Sequence, residues 1–172
     1  MGEQRRVVFL VGASGVGKTA VAQALEERPP WKENTHYFDT IGIPSAEEME
    51  SEFGGGEPWQ LWATRQWVSR VAEGDAPIQL IEGQTRPSFI NEAAGGYPDL
   101  EFLIVLLECN PEVRRHRLTD LRKQPELLTP DMENWAVYLA GQAHALGLPV
   151  IDTSDLDTEA VAQEIEARVG IS

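Results

Sequence analysis

The stretch Gly12-Ala13-Ser14-Gly15-Val16-Gly17-Lys18-Thr19 constrains the fold of this chain more than any other. It reads G-x-x-x-x-G-K-[ST], the phosphate-binding loop or Walker A pattern. Val7-Val8-Phe9-Leu10-Val11 precedes it, an apolar, β-branched run suited to a buried strand. Thr19 to Leu25 follows, with helix formers and apolar residues at helical spacing. Strand, glycine loop and helix in that order is the arrangement phosphate binding needs. Glycines let the backbone turn its N–H groups inward and approach phosphate oxygens closely. The helix N-terminus adds the positive end of its dipole. Lys18 is placed to reach β- and γ-phosphates, and the Thr19 hydroxyl to ligate Mg²⁺. A dinucleotide-binding reading fails on spacing: Gly12, Gly15 and Gly17 do not form G-x-G-x-x-G, although Asp39 lies at a suitable distance for a ribose-binding acid.

With 172 residues, one domain with a real core is the expectation. The formal net charge of −14 argues against a nucleic-acid surface or an anionic membrane as partner. It does not argue against nucleotides, because a local cluster of N–H groups and cations binds phosphate inside an acidic protein. Cys109 is the only cysteine, so neither an internal disulfide nor a cysteine zinc cluster is available. His36, His116 and His144 lack metal-ligand spacing. No apolar run reaches membrane-span length, and the run after Arg5-Arg6 is too short for a signal peptide. A soluble cytoplasmic protein is expected.

Strand-like and helix-like segments alternate, which favours an α/β fold with a mainly parallel sheet. Strands are expected at about Val7–Val11, His36–Phe38 (ending at Asp39), Ile78–Ile81, Phe102–Leu107 and Pro149–Asp152. Helices are expected at about Lys18–Glu27, Pro44–Glu52, Pro58–Glu73, from Asn110-Pro111 through Arg122, Thr129–Ala145 and Asp157–Val169. Gly54-Gly55-Gly56 is a break and Pro125 to Pro130 a loop.

The phosphate loop, the short strands and a late arginine-rich helix together resemble the nucleoside-monophosphate-kinase-like group of P-loop kinases. That group includes adenylate, shikimate and gluconate kinases and some antibiotic phosphotransferases. The resemblance implies a three-layer P-loop NTPase fold: a five-stranded parallel sheet in the order 2-3-1-4-5, flanked by helices, with a mobile lid and ATP as phosphoryl donor. It implies one domain over residues 1–172, with acceptor binding in about 40–74 and the lid in about 114–131.

Three motifs carry the resemblance further. Glu82-Gly83-Gln84-Thr85-Arg86 sits where nucleotide kinases carry D-G-F-P-R, whose arginine holds an acceptor phosphate and whose acid lies near the metal waters. Arg86 keeps the arginine, Glu82 replaces the aspartate, and Gln84-Thr85 departs from Phe-Pro. A strand-ending turn with a surface arginine is the plainer use. Arg117-Leu118-Thr119-Asp120-Leu121-Arg122 resembles the pattern R-[IL]-x-x-R-R that opens the lid, with Leu121 in place of the first arginine of the closing pair. Arg114 and Arg117 are i,i+3 neighbours, so the helix carries a cationic cluster that either meets phosphate or offsets nearby carboxylates. Arg117 and Arg122 are assigned to catalysis, and Arg114 to nucleotide binding. Val150-Ile151-Asp152-Thr153-Ser154 resembles the strand and loop whose backbone contacts adenine, placing Thr153 and Ser154 at the nucleotide; helix capping is compatible with that.

Asp39 stands where related kinases carry an acid touching the acceptor hydroxyl or the metal shell, or else it is a turn residue. Trp59, Trp62 and Trp67 at helical spacing read as a core stripe, bordering the acceptor pocket, and Gln60 and Arg65 are polar residues able to point inward. Trp135 reads as a packing residue. The expected activity is transfer of the γ-phosphoryl group of ATP to a small metabolite or nucleotide. Lys18 and the loop amides would hold phosphate, and Thr19 with Asp39 or Glu82 would hold Mg²⁺. Asp39, Arg65 and Arg86 would meet the acceptor. Expected partners are ATP and that acceptor, in a monomer or homodimer. The competing reading is a nucleotide-binding regulator or slow ATPase; no aspartate follows either Ile78–Ile81 or Leu103–Leu107 as a clear Walker B acid.

Overall fold

A computed structural model describes residues 4–171; the expected domain limits, 1 and 172, lie outside them. Its centre is β1 (Arg5–Val11), whose residues from Val7 to Val11 are all buried. Alternation along this strand divides the core in two. Val8 and Leu10 face one apolar cluster, and Val7, Phe9 and Val11 face the other. β1 pairs in parallel with β3 (Ile78–Gly83) on one side and β4 (Leu100–Glu108) on the other. β2 (Thr35–Tyr37) adds to β3, and β5 (Val150–Asp152) to β4. The sheet is therefore five-stranded, all parallel and ordered 2-3-1-4-5, as expected.

Helices α1 (Lys18–Glu26) and α7 (Thr158–Arg168) cover the Val8–Leu10 face. The opposite face is covered by α3 (Gly56–Glu73), α4 (Pro87–Ala94) and α6 (Pro130–Leu146). The remaining helices are α2 (Ala46–Phe53) and α5 (Pro111–His116). Starts follow local chemistry. Ser45, Asn110, Thr129 and Asp157 cap α2, α5, α6 and α7 by accepting from backbone N–H groups.

Some expected boundaries move. Asp39 does not end β2 but sits in a 3-10 turn, Phe38–Ile41, that follows it. β3 runs on through Glu82 and Gly83, and Gly83 is required there: a Cβ would stand 2.2 Å from that of Phe38. α3 begins at Gly56, not Pro58. The arginine helix is α5 followed by a widened π turn, Arg117–Leu121. α4 has no counterpart among the expected helices. Because all strands are parallel, the phosphate loop, the Asp39 turn, the Glu82–Arg86 segment, α5 and the Thr153 loop all gather at the carboxyl ends of the strands.

Candidate active site

Lys18 opens α1 directly behind Gly17, whose φ of 93° only glycine adopts without strain. Its ammonium is held in a pocket, 7% exposed, with Nζ 3.6 Å from Glu82 Oε1. Thr19 Oγ1 donates to the same carboxylate oxygen at 3.3 Å. Register explains the meeting, because Val11 lies opposite Gly83 and the loop folds back over the end of β3. Burial pulls the Lys18 pKa below its ordinary value, opposed by the charges of Glu82 and Asp39. Burial and then the Asp39 charge push Glu82 up, opposed by Lys18. Lys18, Thr19, Glu82 and exposed Asp39 thus form one electrostatic group. Among the described residues no cluster of three His, Cys, Asp or Glu side chains forms a metal cage. A hydroxyl and a carboxylate beside a phosphate loop fit Mg²⁺, which takes few protein oxygens and keeps water and phosphate as further ligands.

A cavity of about 490 Å³ runs from the phosphate loop to the start of α7, lined by Lys18, Thr19, Arg117, Arg122, Thr153 and Leu156 among others. Arg117 builds its wall. Nη2 donates to the Thr153 carbonyl at 2.7 Å, and Nη1 to Thr153 Oγ1 at 2.9 Å and the Gly15 carbonyl at 3.2 Å. Thr153 Oγ1 in turn donates to the Val16 carbonyl at 2.8 Å. Arg122 is exposed at the rim, and its charge acts on Lys18. Of the expected nucleotide residues outside the Gly12–Thr19 loop, Arg114 and Ser154 lie apart from this cavity. Arg114 is buried under the loop and paired with Glu133 at 2.9 Å. Ser154 accepts from the Asn110 N–H at 2.9 Å, while its own hydrogen bonds to Asp152 hold that carboxyl below the usual range.

On the other side of the loop, Gln84 Nε2 donates to Ser14 Oγ at 3.1 Å. Arg86 is framed. Gln60 Oε1 accepts from its backbone N–H at 3.1 Å and its Nη1 at 2.7 Å. Its guanidinium carbon lies 5.3, 5.2 and 5.5 Å from the ring centres of Phe89, Trp135 and Tyr138. Beneath, fully buried Thr64 and Thr85 share a hydrogen bond of 2.7 Å, fixing α3 against this segment. Arg65 points elsewhere and pairs with Glu92 on α4 at 2.5 Å, both exposed to solvent. Trp59 and Trp67 are core residues, whereas Trp62 is 40% exposed against Phe53. The aromatic frame of Arg86 was not read from sequence; the i,i+3 spacing of Trp135 and Tyr138 was its only signal.

No family model matches the sequence, and no curated protein matches it. Solved structures do match in shape. A tunicamycin resistance protein from Deinococcus radiodurans aligns with a TM-score of 0.67 at 20% identity, over 98% of this chain and 97% of that one. Shikimate kinase from Acinetobacter baumannii, in complex with shikimate, gives 0.64 at 16% identity over 98% and 95%. A gluconokinase from Sinorhizobium meliloti 1021 gives 0.60 at 15% identity over 99% and 94%. The chain has the fold of the small P-loop kinases.

Proposed function

We propose that this chain is a phosphotransferase that moves the γ-phosphoryl group of ATP to a small acceptor. The observation that carries the reading is Lys18, buried at a helix N-terminus beneath a glycine loop and facing Glu82 and Asp39. A buried ammonium at a helix N-terminus behind a glycine loop suits a site completed by a polyanion. The relatives in shape include enzymes named for shikimate and gluconate, which supports a small-molecule acceptor.

In this reading the loop amides and Lys18 hold the β- and γ-phosphates, and the base lies in the cavity walled by Arg117 and Thr153. Thr19, and Glu82 through water, would hold Mg²⁺, which supplies neutralisation of developing phosphate charge. The acceptor oxygen attacks the γ-phosphorus, and the bond to the β-phosphate oxygen breaks with its electron pair leaving on ADP. Asp39 takes the proton of a hydroxyl acceptor; a phosphate acceptor needs no base. Arg122, in the segment of about 114–131 that acts as lid, comes down on the transferring group and excludes water. Arg86 orients an anionic part of the acceptor.

ADP release is the direct test, screened with nucleosides, nucleotides, sugars, hydroxy acids and aminoglycoside-like compounds. Slow background hydrolysis that one compound class stimulates strongly is the expected result. ATP turnover indifferent to every acceptor points instead to a slow ATPase or regulator.

A further inference from the structure

Gly15 is where the phosphate loop meets the arginine helix. Its φ is 85°, and a Cβ there would stand 2.9 Å from Arg114 Cγ and 3.2 Å from Leu118 Cγ. Its carbonyl accepts from Arg117 Nη1 at 3.2 Å and from Cys109 Sγ at 3.7 Å. Gly15, which turns the loop, is therefore met by both arginines, packed on by the Arg114 stem and hydrogen-bonded at its carbonyl by Arg117. Arg114 is only 3% exposed, and its Nε is buried without a partner. A guanidinium so far from water needs a counter-charge. Among the described residues Glu133 is the carboxylate that supplies it, accepting from Nη1 at 2.9 Å. Glu133 lies in the first turn of α6. The same helix carries Trp135 and Tyr138, stacked on each other and lying over Arg86. One short stretch of α6 thus holds both the support of the phosphate loop and the wall of the acceptor arginine.

We propose that Glu133 is a positioning residue. Through Arg114 it sets Gly15, and it links occupation of the phosphate loop to the aromatic wall around Arg86. The inference rests on the phosphotransferase reading. Phosphate drawing the Gly15 peptide toward itself shifts the backbone against which Arg114 packs, and the ion pair carries that movement to the start of α6. By linkage, an acceptor seated at Arg86 changes nucleotide affinity by the factor that nucleotide changes acceptor affinity.

The test uses the full chain, magnesium and a non-hydrolysable ATP analogue, followed by calorimetry and tryptophan emission. The chain has five tryptophans, and Trp135→Phe isolates the contribution of that ring. In the unmodified chain, binding heat accompanies an emission change that Trp135→Phe removes. Glu133→Gln keeps a hydrogen-bond acceptor and loses the charge. It lowers affinity by about two- to thirtyfold and abolishes the emission change at saturation. Glu133→Asp restores part of both, which a merely structural role does not explain; it also decides the matter if Glu133→Gln fails to fold by circular dichroism. Full affinity and a full emission change in Glu133→Gln overturn the proposal. So does normal binding heat with a silent Trp135 in the unmodified chain. Absence of any nucleotide uptake by the unmodified chain overturns the phosphotransferase reading, and this inference with it.

Discussion

Arg117 holds Thr153 with both terminal nitrogens, at 2.9 Å to the hydroxyl and 2.7 Å to the carbonyl, while also reaching the Gly15 carbonyl. The resemblance to nucleotide kinases implied a guanidinium acting on phosphate. In this structure the group is engaged in joining the phosphate loop to the loop after β5. Arg122, by contrast, is exposed at the cavity rim, and none of the ion pairs among the described residues involves it. Two arginines five positions apart thus have separable effects. Arg117→Ala should weaken nucleotide binding about tenfold or more and lower thermal stability, since it removes charge-assisted hydrogen bonds of about 1.5–3 kcal/mol. Arg122→Ala should lower kcat with little change in nucleotide Kd. Calorimetry with a non-hydrolysable analogue, set beside steady-state kinetics, separates the two; equal losses in both parameters for Arg122→Ala contradict a role confined to the transition state.

Lys18→Ala should lower phosphoryl transfer by about 10²- to 10³-fold, the range for removal of a buried group that stabilises transition-state charge. Circular dichroism should show an unchanged fold, because the side chain holds no secondary structure together. Undiminished turnover contradicts the assigned site.

Lys18→Met gives a test by pH. Burial already raises the Glu82 pKa, and loss of the neighbouring cation raises it further. A carboxyl whose folded pKa exceeds its unfolded value contributes stability that is fully present below the unfolded pKa and is lost as pH rises through the folded one. Relative to the unmodified chain, Lys18→Met should therefore lose stability as pH rises above the unmodified chain's folded Glu82 pKa, which itself lies above the ordinary carboxyl range. Thermal unfolding from acid to neutral pH checks this, and a Tm difference independent of pH contradicts it.

Arg86→Ala should raise the acceptor KM by about 10- to 100-fold while leaving nucleotide Kd unchanged, as expected for loss of one charged hydrogen-bonding group. Gln60→Ala should act in the same direction but less strongly, because it frees the guanidinium without removing it. The measurement is initial-rate kinetics once an acceptor is found. A nucleotide affinity that falls in parallel places Arg86 on the donor side instead.

The parallel sheet was legible from the alternation of strand-like and helix-like segments, and β1 with the phosphate loop from local signals: a strand buried on both faces reads as an unbroken apolar run, and the loop needs fixed residue types. The order of the strands came only from the resemblance to P-loop kinases, since nothing local says which strand lies beside which. The start of α5 was legible from Asn110-Pro111, a side-chain cap and a proline at the first helical position. α4 was not: Pro87 stands at its first turn, but Arg86 before it offers no capping side chain. Arg114 and Arg117 are near neighbours on a helix face, yet they meet Gly15 in different ways, Arg114 packing its stem against it and Arg117 donating to its carbonyl. Spacing along a helix says nothing about which of two side chains packs against a loop and which hydrogen-bonds to it. The frame around Arg86 joins α3, α4 and α6, and only the fold brings them together.

Every step of the proposed transfer requires a nucleoside triphosphate seated on the Gly12–Thr19 loop with Lys18 gripping it. Isothermal titration of the full chain with a non-hydrolysable ATP analogue and magnesium measures this directly. Saturable uptake of one equivalent is expected, much weakened in Lys18→Ala. Absence of binding heat with any purine or pyrimidine triphosphate analogue, or equal affinity in Lys18→Ala, would contradict it.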